Sequence, residues 1–133
     1  MPGNSVQEDA KDMDEETFEQ TVAEALDSLP AEFARYLDNV EVLIEPRPTR
    51  EHRRAVNIKP WQTLYGLYQG VPLTERHSGA VIMPDVITIF REPLVRDFPG
   101  RDTLRAQIRR TVLHEIAHFF GISDARLREL DAY

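Results

Sequence analysis

The sequence predicts an α+β domain with a small mixed sheet packed on helices. Three observations carry that prediction: a helix-period run near the N-terminus, short β-branched runs in the middle, and a long apolar helix near the C-terminus. At 133 residues the chain has room for one core and one domain. It divides into an acidic tail over 1–13, expected to be disordered, and a folded domain over 14–133.

The first helix is read from Phe18, Val22, Ala25, Leu26 and Leu29, which recur at helical spacing behind Asp14, Glu15 and Glu16. Pro30 ends it, and a second short helix is expected over 31–37. Val40, Val42 and Ile44 alternate with Glu41 and Glu45 until Pro46 and Pro48, which is the period of a half-buried strand. Residues 46–60, carrying Arg47, Arg50, His52, Arg53 and Arg54, are expected to be a loop. Residues 61–70 are expected to form a strand with a tight turn around Gly66. Val81–Met83 and Val86–Phe90 are strand material, dense in β-branched residues. Pro93, Pro99 and Gly100 mark a link to the last long helix, expected from Asp102 as N-cap to Phe120. Gly121 is placed to stop it, and Ser123 to cap a short final helix through Leu130.

Composition excludes several chemistries. Without cysteine there is no disulfide, thiolate metal site or cysteine nucleophile, so any metal must be held by His, Asp or Glu. The net charge of −7 is local: seven acidic residues against Lys11 put −6 in the first nineteen positions and leave −1 for the rest. The N-terminus shows no basic and apolar signal regions, and no run approaches the ~18 apolar residues of a membrane span. A cytoplasmic location with no membrane partner is therefore expected. The arginine-rich stretch 47–54 is read as a solvated face rather than a nucleic-acid site, because no helix-turn-helix or stacking pattern accompanies it.

The chemistry concentrates at His114-Glu115-Ile116-Ala117-His118 on the last long helix. Residues four apart on a helix share a face, so His114 and His118 can present two imidazoles to one metal ion. Glu115 lies to one side of that pair, where it can act as general base on water. A catalytic zinc commonly takes three protein ligands. Asp124 is the candidate third ligand, because Gly121 can adopt positive φ and turn the chain back. Glu129 and Asp131 compete with it. By this chain's own residue counts, an H-E-x-x-H string arises by chance about once in a hundred such chains, and the string with Gly and Asp at their offsets roughly once in twenty-five thousand. Val112, Leu113, Ile116, Ala117, Phe119 and Phe120 should bury this helix, and a carboxylate on a buried helix asks for a functional cause.

The closing run TVLHEIAHFFGISDARLREL, with YGLYQGVPLTER and DVITIFREPL upstream, resembles the zincin-like metallopeptidase domain of short bacterial proteins. The resemblance covers roughly 14–133. It implies a minimal zincin fold, Zn²⁺ held by His114, His118 and Asp124, Glu115 as general base, and a peptide or protein substrate. The H-E-x-x-H-x-x-G-x-x-D string is also similar to that of metzincins. Their Met-turn lies after the motif, whereas Met1, Met13 and Met83 all precede it here. An edge strand receives the substrate in zincins, and Val86–Phe90 is the candidate by resemblance and by strand character, with an ordinary core strand as the alternative. Tyr65, His77 and Tyr133 are the candidate second donors to an oxyanion. With no pro-segment recognisable, narrow specificity is expected. The alternative function is a metal-binding interaction module without turnover, working through the aromatic Trp61–Tyr68 segment.

Overall fold

The structure, a computed structural model, describes residues 13–76, 84–123 and 125–126. Among them are five helices and a three-stranded mixed sheet, the α+β architecture expected. No described helix is long and apolar enough to cross a membrane. The tail before Met13, the expected strand material at Val81–Met83 and the end of the final helix at Leu130 lie outside the described residues.

Helix α1 (Glu15–Asp27) starts where Asp14 caps it, the Asp14 carboxylate accepting from Thr17 N at 2.7 Å. Hydrogen bonding from the Thr17 side chain, and then from its N–H, to the ionised carboxylate holds the Asp14 pKa below its ordinary value. Helix α2 (Ala31–Ala34) follows and runs into a 3₁₀ turn over Arg35–Leu37. Strand β1 (Val40–Glu45) is the alternating run expected. Residues 46–60 correct the expectation of a loop, since they contain helix α3 (Arg50–Val56). Thr49 and His52 form a capping box: His52 N donates to Thr49 Oγ1 at 3.2 Å, and Thr49 N donates to His52 Nδ1 at 3.0 Å. A histidine stands where the box usually has Glu or Gln, which hid the signal.

Strand β2 (Gly66–Gln69) and strand β3 (Asp85–Phe90) complete the sheet in the order β1-β3-β2. β1 pairs with β3 in parallel, with Val42 opposite Ile87. β2 pairs antiparallel to β3, with Gly66 opposite Ile89. β3 is therefore the central strand, paired on both sides, and cannot be the substrate-receiving edge expected from its composition. A strand buried on both faces reads as near-continuous apolar sequence, so the density of Val86–Phe90 marked the centre of the sheet. β1 and β2 are the two edges among the described residues, and β2 is the one that lies against the C-terminal helix, at Gly66.

Helix α4 (Arg91–Asp97) replaces the expected link. Pro93 sits in its first turn, where the missing N–H interrupts nothing, and so starts the helix rather than breaking it. Helix α5 (Arg101–Phe119) carries the His-Glu-His motif; its N-cap is Gly100 rather than Asp102. Beyond it Gly121 takes φ +86°, the left-handed turn expected, and a Cβ there would collide with Thr74.

The core lies between α1, α5 and one face of the sheet. Phe18, Val22 and Ala25 of α1, Leu104, Ile108, Val112 and Ile116 of α5, and Ile87 and Ile89 of β3 are all buried in one cluster, which Met13 joins. On the opposite sheet face, Thr88 and Phe90 are also buried, and the His52 ring of α3 meets Phe90 edge-on at 5.0 Å. Each buried large side chain contributes about 1.5–3 kcal/mol, so this arrangement fixes α5 rigidly on the sheet.

Candidate metal centre

The metal-binding pattern sits on the last two turns of α5. The stripe Thr111, Glu115, Phe119, at spacing four, faces β2: a Cβ built at Gly66 would press on Thr111 and lie 3.2 Å from Glu115 Cγ, and the Tyr68 ring meets Phe119 edge-on at 6.0 Å. His114 and His118 form the neighbouring stripe. Their side chains are 21% and 29% exposed, against 7% for Glu115. The histidines thus border solvent while the carboxylate between them is buried.

Glu115 spans both rings. Its Oε2 lies 3.0 Å from His114 Nδ1, its Oε1 lies 3.4 Å from His118 Nδ1, and the two imidazole centroids are 4.5 Å apart. Burial pushes the Glu115 pKa up. The hydrogen bonds from His114 and His118, together with their charge, outweigh burial and hold the carboxyl below its ordinary value. An Nδ1–H that donates to Glu115 leaves Nε2 as the Lewis-basic nitrogen of that ring, the tautomer pattern of metal-ligating histidines.

One ligand atom from each of the three residues can be chosen so that all lie within 4.8 Å of one another. That is close to the spacing needed to surround one ion at the ~2.0–2.2 Å distances typical of zinc. A set of two imidazoles and a carboxylate fits a borderline divalent ion such as zinc. The group fits a metal by position and by chemistry.

Asp124, Glu129 and Asp131 lie outside the described residues, as do His77 and Tyr133. The turn that leads to Asp124 is described: Gly121 N donates to His118 O at 2.9 Å, and Ser123 Oγ accepts from Arg126 N at 3.2 Å, the capping bond expected of Ser123. Tyr65 is not in the metal group. Its hydroxyl donates to Asp97 Oδ2 at 2.6 Å, and burial, with that bond second, raises its pKa to about 12.

Gly66, expected as the centre of a tight turn, is instead the first residue of β2. Without a side chain it lets the edge strand lie directly on Glu115. The signal was available, since an isolated Gly between large strand residues marks close backbone approach. A second missed feature is Asp85, 1% exposed, which accepts from Tyr68 Oη at 2.6 Å and pairs with Arg76. Arg76 also donates to Val71 O and lies over the Phe119 ring at 5.6 Å, tying the loop that holds Thr74 to the end of α5.

Two surface clefts among the described residues, of about 640 and 550 Å³, are lined by other residues than His114, Glu115 and His118. The metal group lies against β2, with Glu115 next to Gly66. No curated protein matches the chain. A family model described as zincin-like metallopeptidase matches residues 37–133, which is 97 of 133 residues and includes β1–β3 and all of α5. The His-Glu-His helix laid against an antiparallel edge strand and this match agree: the chain belongs to the zincin-like metallopeptidase family.

Proposed function

We propose that the protein is a zinc-dependent peptidase in which His114 and His118, with Asp124 as third ligand, hold the ion and Glu115 is the general base. The observation that carries this reading is the convergence of His114, Glu115 and His118 within 4.8 Å on the helix that packs against β2 at Gly66. Zinc held there supplies Lewis acidity, which polarises a carbonyl and makes water acidic enough to ionise near neutral pH.

The chain's own residues supply the rest. Glu115, ionised and buried, accepts the proton of the attacking water and returns it to the leaving amine nitrogen. β2 orients the substrate. Tyr65 O accepts from Phe90 N at 2.9 Å, so residues 65, 67 and 69 form the hydrogen-bonded pairs with β3, and the N–H and C=O groups of Gly66 and Tyr68 face outward. An extended peptide can add to that edge as a further strand, its backbone passing the Gly66–Glu115 contact. Recognition through backbone bonds favours peptides as the substrate class.

The test is cleavage of a peptide library by zinc-loaded protein. Wild type should cleave, while Glu115→Gln should keep zinc and lose cleavage by ~10²–10⁴-fold. Undiminished cleavage by Glu115→Gln, or none by zinc-loaded wild type, would overturn the reading. Metal retention without cleavage in wild type would favour a metal-binding interaction module instead.

A further inference from the structure

Trp61, the chain's only tryptophan, is 79% exposed, although tryptophan ordinarily buries most of its surface. The backbone that presents it is tied down. Gln62 N donates to Lys59 O at 3.0 Å, Lys59 N donates to Gln62 Oε1 at 2.8 Å, and Arg53 Nη2 donates to Pro60 O at 2.9 Å and to Gln62 O at 2.8 Å. The two carbonyls that Arg53 holds flank Trp61. A large rigid side chain displayed on a fixed turn is preorganised for contact.

Trp61 forms one wall of the cleft of about 640 Å³, whose charged lining is Arg47, Arg53, Arg96 and Glu92. Three guanidinium groups face one carboxylate. Arg47 and Glu92 form an ion pair but are 70% and 46% exposed, and a pair so open to water exchanges for another carboxylate at little cost. Arg96, 63% exposed, pairs with Asp97 and has its fork next to Thr63 Oγ1 at 3.5 Å.

The cleft continues the edge strand. Thr63 and Leu64 line it, and Tyr65 leads into Gly66, which touches Glu115. Three residue steps lead from Gly66 back to Thr63, at most about 10 Å. A peptide paired antiparallel with β2 runs from Gln69 toward Thr63, so its C-terminal side arrives at the cleft. Resting on the peptidase reading above, we propose that the Trp61 turn with Arg47 and Arg96 is a recognition site for an acidic segment of the substrate. It receives a residue about three positions to the C-terminal side of the bond to be cut. The Arg47 guanidinium exchanges Glu92 for the incoming carboxylate, Arg96 adds positive charge beside it while it holds Asp97, and the indole covers the apolar neighbour.

Because Trp61 is the sole tryptophan, its fluorescence reads occupancy of this cleft without any need for cleavage. The probes are two synthetic decapeptides of otherwise identical sequence, one with Glu three and four residues after the intended scissile bond and one with Gln at both places. With the zinc-loaded, full-length protein the Glu peptide should shift Trp61 emission and bind at least tenfold tighter than the Gln peptide, the gap closing at high salt. Arg47→Gln, at a side chain 70% exposed, should reduce that preference severalfold with metal content and thermal midpoint retained. In cleavage assays Trp61→Ala should raise KM for the Glu peptide more than it lowers kcat. Equal binding of the two peptides, unchanged Trp61 emission, or a preference for acidic residues on the N-terminal side of the bond would overturn the proposal. If no peptide is cleaved, the peptidase reading fails alone, and salt-sensitive selectivity in Trp61 fluorescence still upholds the acidic-peptide site.

Discussion

Two buried carboxylates, Glu115 on α5 and Asp85 at the start of β3, sit at 5% and 1% exposure, and each spans two partners. Asp85 meets a guanidinium and a phenol, Arg76 and Tyr68. Glu115 meets two imidazoles. The partners decide the roles. Arg76 is always charged, and the Tyr68 hydroxyl, pushed up by burial and then by Asp85, stays protonated, so that cluster has one state and serves as a clasp. Imidazoles ligate metals, so the Glu115 cluster can hold an ion and do chemistry.

The comparison predicts opposite outcomes for the same amide substitution. Asp85→Asn should destabilise the fold by ~3 kcal/mol, toward the low end for a broken buried pair because Arg76 remains a quarter exposed, while metal content survives. Urea unfolding measures it. Glu115→Gln should move stability far less. A destabilisation by Glu115→Gln equal to that of Asp85→Asn would make both clusters structural. Gly66→Ala should cost about 1–3 kcal/mol and weaken metal binding, since the new methyl presses on Thr111 and Glu115; thermal unfolding and zinc titration check the two halves separately. Gly121→Ala, at φ +86° and against Thr74, should cost roughly 1–2 kcal/mol.

The smallest effect is a pH slope. Bonds from Arg96 and then Tyr65 lower the Asp97 pKa from 3.8 to about 2. A depressed folded-state pKa gives stability that is present above the unfolded value of about 4 and is lost as pH falls toward 2. Asp97→Asn should therefore flatten the stability profile in that window and lower stability at all pH values above it, neutrality included, which acid titration by circular dichroism would follow.

What was legible in the sequence was local. His114, Glu115 and His118 fall within five residues, and helical spacing alone brings them together. The α1 pattern, the β1 alternation and the Gly121 turn are likewise set by neighbours in the chain. The misreadings concern distant partners. Whether Val86–Phe90 is an edge or a centre depends on β1 and β2 pairing to it from both sides, which its own residues do not encode. The Asp85 cluster joins positions 68, 76 and 85 across two elements and a loop. α3 was hidden by a local device of unusual chemistry, the His52 capping box, and α4 by a proline that begins a helix.

The central claim is that His114, Glu115 and His118 form a metal centre while Asp85, Arg76 and Tyr68 do not. Zinc stoichiometry after reconstitution and gel filtration, measured by elemental analysis on wild type, His118→Ala and Asp85→Asn, tests it most directly. The account predicts about one zinc per chain in wild type and in Asp85→Asn, and essentially none in His118→Ala. No zinc in reconstituted wild type, or wild-type zinc in His118→Ala, would contradict it.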